Sequence, residues 1–198
     1  YRGILPPEQK SMTIGLRVAR NALAQQGQES TSANPPFKAT GNKLVIYYSW
    51  SGNTRNMAKI IAKKTGARLI ELKLKQPYSV NYTEVLTQAW QAQQKRDLPE
   101  LDLTGLKLED YDTIFIGYPL WWASIPRPLA TMLTKYDFTG KNLLVFSSGG
   151  GGHLQQSYSD LMKLAQCSNF GTALEVSYSG GAELEETISE WLRANGVK

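Results

Sequence analysis

A single cysteine and a single histidine among 198 residues remove several kinds of chemistry at once. Cys167 has no partner for an internal disulfide and reads as a small hydrophobe on an apolar helix face. One histidine cannot assemble a metal centre with so few companions, so no metal is expected. His153 follows a run of glycines at the start of a helical pattern, a place that suits a surface helix terminus better than proton transfer. The chain holds no GxSxG, no Ser/His/Asp arrangement and no carboxylate pair placed for hydrolysis. It also has no run of about twenty apolar residues and no signal-peptide core. A cytoplasmic location is therefore the expectation, with an extracytoplasmic or cell-envelope location the alternative if a leader preceded Tyr1. Acidic residues are somewhat scarce, 17 against 22 basic, for a net charge of +5 and a pI of about 9.2. Five of the basic residues and only two acidic ones fall in the first 42 positions, which leaves +2 on the remainder. The excess is small and sits largely in this tail, so it is no nucleic-acid signature.

What is present fits one domain with an appendage. At 22.0 kDa and 41% hydrophobic content there is enough apolar material for a single core. SMTIGLRVARNALAQQ places Ile14, Val18 and Leu23 along one side of a helix, and the polar, Pro-containing QGQESTSANPPFKATGN that follows reads as a linker. Residues 1–41 are thus an N-terminal extension, and 42–198 the domain.

The most telling stretch is LVIYYSWSGNT, residues 44–54. LVIYY has the length and β-branched content of a buried strand. MAKIIAKKTG puts Met57, Ile60, Ile61 and Lys64 on one helical face before Gly66 ends the pattern. Between them lies a tight turn in which six positions, Ser49 to Thr54, hold four Ser, Thr or Asn residues and one Gly. Capping by Asn53 or Thr54 would need only one of these. The surplus favours phosphate binding: the unpaired N–H groups and positive dipole end of the helix, with further donors from Ser49, Ser51 and Thr54. Neither the GK[ST] ending of Walker A nor GxGxxG is present.

Two further strands end in the same manner. YDTIFIGYP, residues 111–119, is followed by LWWASIPRP and a helical pattern from about Leu129. Of the adjacent tryptophans, one is expected to plug the end of the sheet and the other to lie on a planar heterocycle. LLVFSSGGGG, residues 143–152, ends in four glycines, which suit a backbone that approaches a flat ligand closely or turns through positive φ. Ala67–Leu74 and Thr172–Tyr178 read as second and fifth strands. Helices are expected near Tyr82–Arg96, Pro128–Tyr136, His153–Cys167 and Ala182–Asn195. Arg55 and Arg127 are placed to meet an anion, although solvated helix-end arginines are the plainer reading. Alternation of strand and helix predicts an α/β, three-layer α/β/α sandwich with one site along the carboxyl edge of its parallel sheet.

SWSGNT resembles the phosphate loop of the flavodoxin family, a strand followed by SxTGNT and a helix, with Trp50 at a variable position and Ser51 for Thr. GYPLWW and FSSGGGG resemble the branch of that family with GYPxWW after the third strand and FxSGGxG after the fourth. The likeness covers about four-fifths of the chain. It implies a five-stranded sheet of order 2-1-3-4-5, and a short-chain form because the fifth strand has no large insertion. It also implies FMN, held by Ser49, Trp50, Ser51, Gly52, Asn53 and Thr54 at the phosphate. Pro119, Leu120, Trp121, Trp122 and Ala123 would lie along the flavin, and Ser147, Ser148, Gly149, Gly150 and Gly151 at its far edge. The loop after the fourth strand lacks the aromatic that many electron-carrier flavodoxins stack on the outer flavin face, which favours an oxidoreductase passing electrons from NAD(P)H to a quinone-like or other small acceptor. Alternatives are a carrier serving a redox-protein partner and a non-redox interaction domain.

Overall fold

The structure is a computed structural model that describes residue 37 and residues 39–150, 154–165 and 169–197. The expected N-terminal helix, His153, Cys167 and Gly151 lie outside the described residues. In chain order the elements are β1 (Lys43–Tyr47), α1 (Asn53–Thr65), β2 (Arg68–Glu71), β3 (Lys73–Leu74), α2 (Tyr82–Lys95), β4 (Leu101–Asp102), β5 (Thr113–Pro119), α3 (Arg127–Lys135), β6 (Asn142–Gly149), α4 (Gln155–Ala165), β7 (Asn169–Phe170), β8 (Leu174–Ser177) and α5 (Leu184–Ala194).

The main sheet runs β2-β1-β5-β6, with β7 and β8 both paired to β6, and every pairing in it is parallel. This is the expected 2-1-3-4-5 order, the third and fourth strands being β5 and β6 and the fifth being delivered in two pieces. The break is made by tertiary contact with the end of α5. At Thr172 the backbone leaves the ladder for α5: its carbonyl accepts from Trp191 Nε1 at 2.6 Å, and its N–H donates to Asn195 Oδ1 at 2.8 Å. The second strand is likewise shorter than expected. Ala67–Leu74 divides at Leu72, after which β3 pairs antiparallel with β4, a small ribbon that the sequence reading does not contain.

Strand alternation separates two cores. Leu44, Ile46, Ile114, Ile116, Leu143 and Val145 face one way, under α3 and α4. Val45, Tyr47, Phe115, Leu144 and Phe146 face the other, under α1 and α5, where Trp191 of α5 packs on Phe115 and Phe146. Strands buried on both faces must be apolar at consecutive positions, which is why β1, β5 and β6 read as continuous hydrophobic runs. Phe37 and Ala39 pack against the second core, and Thr40 exchanges two hydrogen bonds with Thr113 Oγ1 at the amino end of β5. The packed body therefore takes in Phe37 and residues 39–41 as well. No helix among the described residues is long and apolar enough to cross a membrane.

Candidate functional site

The loop after β1 begins where the buried strand gives out. Ser49 is buried, and its Oγ accepts from the N–H groups of Gly52 and Arg55, each at 3.2 Å, which folds the loop back over the start of α1. Gly52 precedes the helix with φ 98°, a conformation strained for any residue with a Cβ, and as the N-cap residue it has no side chain to offer, so Ser49 meets the N–H of Arg55 in the first turn in its place. α1 therefore starts at Asn53, four residues before the apolar pattern of Met57, and neither Asn53 nor Thr54 serves as the cap. No carboxylate lies in the first turn. Among the described residues the N–H groups of Asn53 and Thr54 meet no acceptor, so the turn keeps two donors and the positive end of the helix dipole for an anion. Ser51 is exposed beside them.

Not every member of SWSGNT turns inward. Trp50 sends its indole away from the helix start: Nε1 donates to the Ser79 carbonyl at 2.9 Å, and the ring tilts against Tyr82. Its side chain thus fastens the loop to the 79–82 segment. Thr54 is buried and shares a 2.8 Å hydrogen bond with Ser148 Oγ across the space between α1 and β6. Two hydroxyls joined by one bond retain one spare hydrogen.

The second loop carries Pro119 in β5 and then Leu120, whose N–H donates to the Ser148 carbonyl at 2.8 Å. The two tryptophans part company. Trp121 turns into the protein, edge-on to Tyr48 with centroids 5.7 Å apart and tilted against Tyr78 at 6.0 Å. Trp122 is 54% exposed. Trp122 and Ala123 both have positive φ, 53° and 55°, inside a tight turn closed by the Trp121–Ser124 bridge. For residues with a Cβ this is a costly conformation, and here it separates the adjacent indoles.

In the third loop the described glycines owe their place to close approach, not to positive φ. A Cβ on Gly149 would stand 3.1 Å from Leu120 Cβ, and one on Gly150 would stand 3.1 Å from the Tyr178 hydroxyl. Ser147 does not open toward the loops. It is wholly buried in register with Tyr118, on the face under α3 and α4, and its hydroxyl has no hydrogen-bond partner among the described residues. Its side chain is therefore unsuited to touch a ligand at the sheet edge.

Both arginines prove to be engaged. Arg55 makes a bidentate ion pair with Glu71, Nε and Nη2 donating to the carboxylate, and this raises the Arg55 pKa further. Tyr47 donates to the same carboxylate at 3.1 Å. Arg127 donates to the carbonyls of Asp97 at 2.6 Å and Arg96 at 2.8 Å, closing the end of α2, and burial lowers its pKa. It is a structural clamp.

Three aromatic residues belong to this edge although the sequence reading did not include them. Tyr178, 67% exposed at the end of β8 with φ 49°, stands beside Gly150. Tyr48 and Tyr78 line a cleft of about 830 Å³ between the first loop and the β2–β3 corner. Tyr178 and Tyr48 each follow directly on a strand, and that is the only sequence signal they carry.

The family model described as flavodoxin matches residues 42–195. The chain belongs to the flavodoxin family. Among solved structures, a flavoprotein of Bacteroides uniformis is 26% identical with a TM-score of 0.68, over 77% of this chain and 98% of its own. A flavoprotein of Lactobacillus acidophilus crystallised with FMN is 23% identical with a TM-score of 0.62, over 77% and 99%, a likeness of fold. A curated Escherichia coli (strain K12) protein named an uncharacterized NAD(P)H oxidoreductase, YcaK, is 29% identical over 114 residues, 52% of this flavodoxin-family chain and 56% of the relative. The match thus spans little more than half of that relative's length.

Proposed function

We propose that this flavodoxin-family protein is an FMN-dependent oxidoreductase that passes electrons from NAD(P)H to a quinone-like or other small acceptor. The observation that carries the reading is the open first turn of α1, whose Asn53 and Thr54 N–H groups have no partner among the described residues, at the same sheet edge as the exposed indole of Trp122. These features fit a phosphate joined to a flat ring. When bound, FMN supplies the redox chemistry. The chain's part is to bind and orient it. Ser51 and the N–H groups of Asn53 and Thr54 would receive the phosphate, Trp122 would offer its face to the ring, and the backbone N–H groups near Gly149 and Gly150 would stabilise negative charge at the ring's polar edge. No side-chain acid or base is required. The partial likeness to an NAD(P)H oxidoreductase supports a nicotinamide donor.

The test is an anaerobic titration of the FMN-loaded protein with NADPH, NADH and dithionite, followed by turnover with a small quinone. The expected outcome is bleaching in a single two-electron step by a nicotinamide nucleotide, and turnover that falls only mildly with salt, because the loops LWWASIPRP and SSGGGG contain no Asp or Glu. A second reading, an electron carrier for a redox protein, is favoured by one observation: Tyr178 stands exposed beside Gly150, so an aromatic does reach the glycine loop, from the next strand. Dithionite reduction without reduction by NADH or NADPH, and fast, salt-sensitive exchange with a redox protein, would establish the carrier.

A further inference from the structure

Tyr178 is the first residue after β8, and its backbone N–H donates to the Gly149 carbonyl at 2.9 Å, which carries the β6–β8 ladder one step past its last strand pair. Its φ of 49° is left-handed, a costly conformation for a residue with a bulky side chain. The turn itself does not ask for a tyrosine. Gly180 and Gly181, just beyond, both take positive φ, so the chain uses glycine here where only the backbone is at issue. Nor does the fold use the side chain. Tyr178 is exposed, and among the described residues its ring meets no other aromatic and its hydroxyl no hydrogen-bond partner. A strained backbone that carries an exposed, unengaged phenol is the pattern of a residue kept for a ligand.

The side chain is turned toward the third loop. A Cβ on Gly150 would stand 3.1 Å from the Tyr178 hydroxyl and 3.4 Å from its Cε1, so the phenol lies along the backbone of Gly150, where the glycine leaves room for it. The N–H groups of this loop are those assigned above to the polar edge of the flavin ring, and the hydroxyl stands beside the same edge. We propose that Tyr178 is a flavin-binding residue supplied by a fourth strand end: its hydroxyl donates to an oxygen of that edge, and its ring walls the site on the β8 side. The proposal rests on the FMN reading above and is the same for an oxidoreductase and for a carrier.

Fluorescence titration of the flavin-free full chain with FMN and with riboflavin tests this. Tyr178→Phe removes only the hydroxyl and should weaken both flavins alike, about three- to tenfold, because the lost hydrogen bond belongs to the ring that the two share. Loss of a phosphate contact would weaken FMN alone. Tyr178→Gly should weaken both further, while the melting temperature of the flavin-free variant stays equal to that of the parent chain or rises, since strain is relieved and the exposed ring buries little. A purely structural residue would lower it. Parent-like binding of both flavins by Tyr178→Phe, a loss confined to FMN, or a flavin-free Tyr178→Gly chain that melts below the parent would each overturn the proposal and leave the FMN reading standing. A parent chain that binds neither flavin would overturn both.

Discussion

Thr54 and Ser51 sit three positions apart and have different work to do. Ser51 is exposed beside the open first turn of α1, so Ser51→Ala should lower FMN affinity about tenfold, the value of a hydrogen bond to a charged group, and leave riboflavin binding unaltered. Equal losses for the two flavins, measured by fluorescence titration, would move the phosphate elsewhere. Thr54 is buried against Ser148, and Thr54→Val keeps its shape while stranding the Ser148 hydroxyl. That should cost about 1–3 kcal/mol in denaturant unfolding. The two tryptophans divide in the same way. Trp121→Ala opens a hole between Tyr48 and Tyr78 and should cost about 2–3 kcal/mol, below the roughly 3–5 kcal/mol of a fully buried aromatic because Trp121 is only half-buried. Trp122→Ala should leave stability nearly unchanged and alter flavin fluorescence and potential. An unchanged flavin signal would remove Trp122 from the site.

The segment that links β5 to α3 bears the clearest backbone strain at this edge. Ala123 holds φ 55° with its side chain exposed, so Ala123→Gly relieves strain without removing a contact and should raise the unfolding free energy by up to about 1 kcal/mol. A lower melting temperature would show that the turn is not strained. In β5 the requirement runs the other way. Gly117 lies in register between Tyr47 of β1 and Phe146 of β6, and a Cβ there would fall 2.2 Å from the Phe146 ring. Gly117→Ala must therefore expel that ring from its edge-on contact with Trp191, and should cost at least about 1–3 kcal/mol. The glycine of GYP is thus read most directly as a packing residue of the α1/α5 core, while the loop that follows it carries the site.

Stability of the domain should respond to alkali. Burial first, and then the Glu71 carboxylate, push the Tyr47 phenol from its ordinary value of 10 to about 12. The folded state thus holds this proton more tightly than the unfolded chain, and the contribution is whole below pH 10 and lost as pH rises to about 12. Burial also raises Tyr48 and Tyr118, so the decline should continue above that window. Urea midpoints measured from pH 9 upward should fall in the parent chain, and the fall between pH 10 and 12 should be shallower in Tyr47→Phe. Identical slopes would exclude Tyr47 as a contributor.

The two-faced burial of the main sheet and its three edge loops were legible in the chain because each rests on local chemistry, consecutive apolar residues being satisfied in a strand covered on both sides and small hydroxyl- and glycine-rich runs marking where such a strand ends; the order of the strands came only with the family resemblance. LVIYY, TIFIGYP and LLVFSSG became β1, β5 and β6 with small changes of boundary. Other features depended on residues distant in sequence. Thr54 found Ser148 ninety-four positions away, Arg55 found Glu71, Arg127 found the end of α2, and the fifth strand broke because Trp191 and Asn195 claimed the backbone of Thr172. The direction of each tryptophan arises in the same way. Periodicity reports which side of an element is apolar, whereas the partner of a single polar group is settled by which elements the topology brings together, and that information is not local to any stretch of the chain.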